Sequence, residues 1–274
     1  MLKTRIILIA ASALVVWLIF LLPKAVVENE HQLKSTDSTG AKGDGHTDHP
    51  QQAHTAAPAA IVSLIKEVKK AFQNSSDKKN AIFADSLRSL YTQAGQFDSA
   101  AWFGEKAATF FNNTESFLKA GNSFYQAYTF AMDAGKQKLL AEKTREYLGK
   151  AVESNPKNYE ARIKMAMTYL TTGGPMQGIR QLRDVLSEDP KNELALFNMG
   201  MLSVQSGQNK KAIDWLKQLV VVNPTHTQGQ MLLGVAYMND GQNKEAREQF
   251  EKVKKMEKDP AVQATVDSYL KDLK

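Results

Sequence analysis

Hydrophobic and polar positions divide the chain into three stretches with different patterns. From Ile6 to Leu22 (IILIAASALVVWLIFLL) every residue is apolar or small, and Ser12 carries the one hydroxyl. Such a run has no polar face. As a helix rising about 1.5 Å per residue it spans roughly 26 Å, enough for the hydrocarbon core of a bilayer. From Glu28 to Pro58 the residues change to Gly, Ser, Thr, Asp, Gln and His. That composition cannot bury enough apolar surface to offset its ordering entropy, so it predicts a flexible tether with an r.m.s. span of about 30 Å. From Ala59 onward apolar residues return at helical spacing. Ile61, Ile65, Val68 and Phe72 form one stripe, Phe117, Gly121, Phe124 and Tyr128 a second, and Val262, Val266, Tyr269 and Leu273 a third. Steps of three and four residues predict amphipathic helices.

Within this last stretch the pattern repeats every 34 residues. Pro156, Pro190 and Pro224 mark the step, each preceded by Asn155, Asp189 or Asn223. Gly173, Gly207 and Gly241 follow it, as do Ala166, Gly200 and Gly234, then Gly178, Ala212 and Ala246, and finally Leu182, Leu216 and Phe250. Small residues at two fixed places let two helices approach closely. The middle glycine falls where the chain turns between them, and the proline stops the second helix because it cannot continue one. Upstream, 81–114 carries Leu87, Tyr91, Gly95 and Ala100 at the same spacings but lacks the terminal proline. The unit over 115–158 is longer: Gly121 to Thr144 is 23 residues where Gly200 to Ala212 is 12, an insertion of 11.

A 34-residue unit of this kind resembles the tetratricopeptide repeat (TPR), a helix–turn–helix that stacks into a solenoid. The resemblance implies an all-α, right-handed α-solenoid of about five units, at about 81–114, 115–158, 159–192, 193–226 and 227–260. Flanking helices close it: 59–72 as an N-terminal cap and 261–273 as a C-terminal one, since a terminal repeat exposes its stacking face. The expected organisation is therefore a signal-anchor or transmembrane helix over 1–23, a linker over 24–58 and a solenoid over 59–274.

Charge and chemistry narrow the function. The chain holds 35 Lys+Arg against 29 Asp+Glu, a net charge of +6, and no cysteine. The missing thiols exclude disulfides, thiolate metal sites and a Cys nucleophile. The positive charge thins from the N-terminal units to the C-terminal ones without forming a stripe, which argues against nucleic acid as a partner. Lys3 and Arg5 precede the apolar run, so the positive-inside rule puts the N-terminus in the cytoplasm and the solenoid across the membrane, in the periplasm. No small-x-small cleavage site follows Leu22 in PKAVVENE, which favours an uncleaved anchor over a signal peptide. His31, His46, His49 and His54 lie in the tether, leaving His226 alone in the repeats. No nucleophile elbow, phosphate loop, dinucleotide fingerprint or metalloprotease motif occurs, so no enzyme, cofactor or metal site is expected.

The resemblance also places the first helix of each repeat on the concave face, and the helical period selects which residues point inward. That face presents Asp85, Ser89 and Thr92; Leu118, Asn122, Tyr125 and Gln126; Ile163, Met167 and Leu170; Phe197, Met201 and Val204; Met231, Val235 and Met238. The expected groove comprises Asn122, Tyr125, Gln126, Ile163, Met167, Phe197, Met201, Met231, Val235 and Met238, polar at one end and methionine-rich at the other. Methionine adapts to irregular apolar surfaces, which suits a groove receiving a peptide or helix. The lysine and asparagine pattern by which some TPR domains clamp a C-terminal carboxylate is absent around Asn122 and Asn198. The layout is similar to that of membrane-anchored bacterial periplasmic TPR proteins, including those of cytochrome c maturation and those beside the secretion translocon. It implies a scaffold that binds a protein or peptide partner and assists assembly or maturation of envelope proteins. The alternatives are homodimerisation through 59–72 and secretion after signal cleavage.

Overall fold

The computed structural model describes residues 57–273, in which twelve α-helices follow one another and no strand occurs. The apolar run over 6–22 and nearly all of the tether lie outside the described residues. None of the described helices is long and apolar enough to cross a membrane. The helices are α1 (Ala59–Gln73), α2 (Asp77–Gln93), α3 (Phe97–Phe111), α4 (Thr114–Phe130), α5 (Ala134–Ser154) and α6 (Tyr159–Thr171). They continue with α7 (Pro175–Glu188), α8 (Glu193–Gln205), α9 (Asn209–Val222), α10 (Thr227–Asn239), α11 (Asn243–Met256) and α12 (Pro260–Asp272). Each helix packs against the next, giving five hairpins from α2–α3 to α10–α11 with α1 and α12 at the ends. The fold is an α-solenoid.

The sequence landmarks act through local geometry. Gly95, Gly173, Gly207 and Gly241 turn the chain between the helices of four hairpins with φ of 70°, 89°, 70° and 77°. A Cβ is strained in that left-handed region, so glycine terminates the first helix without penalty. Where the chain passes to the next repeat, Asn158 and Asn192 cap α6 and α8 by accepting the Ala161 and Ala195 N–H groups at 3.1 Å. His226 takes the same place one period later, its Nδ1 accepting the Gly229 N–H at 3.0 Å. The small residues set the spacing inside each hairpin: a Cβ on Gly200 would lie 2.6 Å from Leu216, and one on Gly234 2.6 Å from Phe250. Both partners are fully buried.

The second hairpin is the long one. Its helices α4 and α5 hold 17 and 21 residues, against 13 and 14 in α6 and α7. Both arms therefore lengthen, the second more than the first. The extended tip leans on the preceding repeat through Phe130, stacked on Phe97 at 4.6 Å, and through the Lys136–Asp98 ion pair.

The buried apolar residues fall into three blocks. One joins α1 to the first hairpin around Leu87, Tyr91 and Phe103, one fills α3–α5 around Phe124 and Tyr147, and one runs continuously from α6 to α12. Polar contacts bridge the second and third blocks, alongside Leu148, Ala151 and Ala161, which are buried on α5 and α6. The Tyr128 hydroxyl meets the Thr171 hydroxyl at 2.6 Å, and Arg145 Nη1 donates to Thr168 Oγ1 at 3.0 Å and Thr172 Oγ1 at 3.2 Å. The Arg145 guanidinium also lies over the Tyr169 ring at 4.5 Å. Thr168 in this joint and Thr144 on α5 are fully buried, and each donates its hydroxyl to a carbonyl of its own helix, as buried polar groups must.

Both end helices are used as covers. Ile65, Val68 and Phe72 of α1 pack on the first hairpin, with Phe72 edge-on to Phe103 at 5.4 Å. Three of the four residues of the stripe expected as an alternative dimer seam, all but Ile61, thus pack half-buried against the chain's own core. At the other end Val266, Leu270 and Leu273 are buried, and Tyr269 stacks on Phe250 at 4.9 Å.

Candidate binding groove

The first helices of successive repeats approach one another. α4 touches α6, α6 touches α8, and α8 touches α10, whereas the second helices make no mutual contact of that extent among the described residues. Elements that converge lie on the inside of a bend. The inner surface is therefore built from α2, α4, α6, α8 and α10.

Its two ends differ in chemistry. At the α2–α4 end, Asp85 accepts from Lys119 Nζ at 2.9 Å and from Arg88 Nε at 2.7 Å, and Lys119 also pairs with Glu115 at 2.8 Å. Burial alone would raise the Asp85 carboxyl, but the hydrogen bonds and charges of Lys119 and Arg88 outweigh it and hold the carboxyl below its usual range. The Lys119 ammonium is raised in turn by its bonds to Glu115 and Asp85. Further along, Lys164 donates to Asn122 Oδ1 at 2.7 Å and pairs with Glu160, with Tyr125 beside it at 5.9 Å. Burial pushes the Tyr125 phenol up, and Gln126 next to it is half-buried. Arg88, Lys119 and Lys164 are each matched by an acid, so this end offers hydrogen bonding and little free charge. A cavity of about 260 Å³ between α2, α3 and α4 is lined by Asp85, Gly104 and Lys119 among others. Ligand pockets usually start at roughly 300 Å³.

At the α6–α10 end the surface is apolar. Met167, Phe197, Met231, Val235 and Met238 are half-buried, each resting on the core with part of its side chain accessible. Met201 is half-buried as well. Phe197 is held by the His226 ring, stacked at 5.4 Å. Ile163 is a correction. It is 1% exposed and belongs to the core block, because its side chain points toward the neighbouring helices and not into the groove.

Two polar contacts of the groove escaped the sequence. Lys164 and Asn122 are 42 residues apart, a separation that no repeat spacing singles out. Asp85 and Lys119 are 34 apart, one full period, so their pairing was readable as facing residues of adjacent repeats. Among the described residues no three His, Asp or Glu side chains gather as metal ligands would.

Residues 227–260, the α10–α11 hairpin with its flanking turns, match the family model for the tetratricopeptide repeat. The chain carries tetratricopeptide repeats. Two solved structures share the solenoid fold. One is a tetratricopeptide repeat protein from Parabacteroides merdae, with a TM-score of 0.58 and 16% identity over 78% of this chain and 82% of that one. The other is a thermophilic TPR protein from Thermus thermophilus, with a TM-score of 0.53 and 18% identity over 69% of this chain and 98% of that one. No curated protein matches the sequence.

Proposed function

We propose that the protein is a membrane-tethered TPR scaffold that receives an apolar segment of a protein or peptide partner on the α6–α10 half of its concave surface. The observation that carries this is the row of half-buried Met167, Phe197, Met201, Met231, Val235 and Met238 on successive first helices. Thioether side chains repack around different apolar shapes, which fits a groove that accepts more than one client segment. The polar end, with Asn122, Tyr125 and Gln126, would fix register by hydrogen bonds. Residues 6–22 would anchor the chain with its N-terminus in the cytoplasm and the solenoid in the periplasm, and the tether would raise the effective concentration of membrane-proximal clients. Assisting assembly or maturation of envelope proteins is the role that agrees with this layout.

The test is site-specific photo-crosslinking in native membranes, with the crosslinker at Met201 or at Val221, which is 79% exposed on the second helix of the same hairpin. Crosslinks from Met201 that are lost in Met231→Glu, with none from Val221, support the groove. Equal yield from the two positions, or crosslinks indifferent to Met231→Glu, refutes it. Intact mass of the membrane-extracted protein checks the anchor, since signal cleavage would remove about 25 N-terminal residues.

A further inference from the structure

We propose that the elbow between α1 and α2 docks on the headgroups of an anionic bilayer, a proposal that rests on the membrane tether inferred above. Residues 66–79 hold Lys66, Lys69, Lys70, Lys78 and Lys79 against Glu67 and Asp77, so this short stretch carries +3 of the chain's +6. All five lysines are exposed. Ion pairs bind many lysines elsewhere in the solenoid, but among the described residues none of these five takes part in one. Their charge is therefore available to something outside the chain.

Their placement is ordered. On α1, at 100° per residue, Lys66 and Lys70 occupy the side away from the stripe of Ile65, Val68 and Phe72 that packs on the first hairpin, and Lys69 flanks that stripe. Lys70 lies in the last turn of α1 with Lys69 just before it, and Lys78 and Lys79 begin α2, so these four residues stand within about one and a half helical turns of the 74–76 bend. The first turn of a helix repels cations, which makes the placement of Lys78 and Lys79 adverse for α2 itself. Folding does not account for it. Val62 and Ile82, 53% and 48% exposed, add apolar surface on the same two helices. A basic face with exposed aliphatic side chains is what a bilayer surface recognises.

A bilayer is favoured over nucleic acid because the patch has no exposed aromatic to stack a base and no arginine. The roughly 30 Å tether would also hold the elbow within reach of lipid headgroups. Each lysine near an anionic surface strengthens binding about fivefold. Docking the elbow would orient the solenoid, with the polar end of the groove beside the membrane and the methionine-rich end pointing away.

The chain has no cysteine, so one introduced thiol labels a single place. Ser76 lies in the bend, is exposed and makes no side-chain capping bond, so Ser76→Cys can carry an environment-sensitive fluorophore. The labelled full chain is reconstituted in phosphatidylcholine nanodiscs with or without phosphatidylglycerol. The expected result is a blue shift and several-fold stronger quenching by a headgroup quencher when phosphatidylglycerol is present. High salt should reverse the response, and replacing all five lysines with Gln should abolish it at unchanged helicity. Incorporation into both nanodiscs with no lipid-dependent label response refutes the elbow and leaves the tether standing. A lipid-dependent response from protein that does not insert into neutral nanodiscs supports the elbow and removes the tether. The same response in the five-Gln variant, or an equal response to single-stranded RNA, overturns the proposal.

Discussion

Two glycine-to-alanine substitutions should have opposite signs, and the difference is calculable from the packing. A Cβ on Gly178 in α7 would lie 2.5 Å from the Ala166 carbonyl oxygen and 3.0 Å from the end of Leu170. The first of these atoms is backbone and cannot rotate away, so α6 and α7 must separate. Overpacking of this sort costs about 1–3 kcal/mol, and the better helix propensity of alanine returns about 1 kcal/mol. The net expectation for Gly178→Ala is a loss of up to about 2 kcal/mol. Gly149 in α5 is also mid-helix, but its added Cβ would meet only the Met165 methyl at 3.8 Å. There the propensity gain stands alone, so Gly149→Ala should stabilise by about 0.5–1 kcal/mol. At roughly 2–4 °C per kcal/mol for a domain of this size, thermal unfolding followed by circular dichroism should separate the variants by about 1–12 °C, with Gly149→Ala the higher. A Gly178→Ala protein as stable as Gly149→Ala would show that the helix spacing within the repeats is not set by these contacts.

Three further substitutions probe polar features. Asp85→Asn removes a carboxylate whose folded-state pKa is lowered, so its stabilisation exists above the ordinary carboxylate range and disappears as pH falls through the folded value. Urea midpoints of variant and parent should therefore differ at about pH 7 and converge only as pH falls below the ordinary carboxylate range, and a gap that persists after the carboxyl is protonated would contradict the pairing. His226→Asn restores the cap found in the two preceding repeats. The His226 ring accepts the Gly229 N–H through Nδ1, so His226→Asn should keep the cap and leave the thermal midpoint close to the parent's, whereas His226→Ala should cost about 1 kcal/mol. An alanine variant as stable as the asparagine one would rule this out. Tyr128→Phe deletes the hydroxyl that meets Thr171 and Met167, and should cost about 1–2 kcal/mol and broaden the urea transition. An unchanged midpoint and slope would mean that the joint is not held by that hydroxyl.

The solenoid was legible in the sequence because its landmarks answer to backbone rules. Glycine at the left-handed turn, proline after the second helix and a small residue at each close approach are dictated locally and recur with the period. Depth was not legible. The helical period assigns Ile163 and Phe197 to one face, yet Ile163 is fully buried and Phe197 half-exposed, because stacking of the next repeat decides how far a side chain is covered. The polar joint escaped for a related reason. Thr144 stands where later repeats carry Gly178, Ala212 and Ala246, a visible departure, but Arg145 reaches Thr168 and Thr172 across a repeat boundary from a position that holds Ile179 and Ile213 in the next two repeats, and reach across a boundary is not a matter of period. The lysines around the bend were legible only as charge. Their lack of ion-pair partners among the described residues and their position beside an adverse helix terminus required coordinates.

That joint also bears on how the array bends. In a stacked-repeat protein, stability is approximately a sum of repeat stabilities and nearest-neighbour couplings. Between α5 and α6 the Tyr128 and Arg145 hydrogen bonds add directional links to the packing, and such links depend on geometry in a way that apolar contact does not. The core from α6 to α12 is continuous in itself, so the angle at which the long hairpin meets it is fixed by a handful of polar atoms, and the curvature of the inner surface at that point is set by Arg145 and Tyr128.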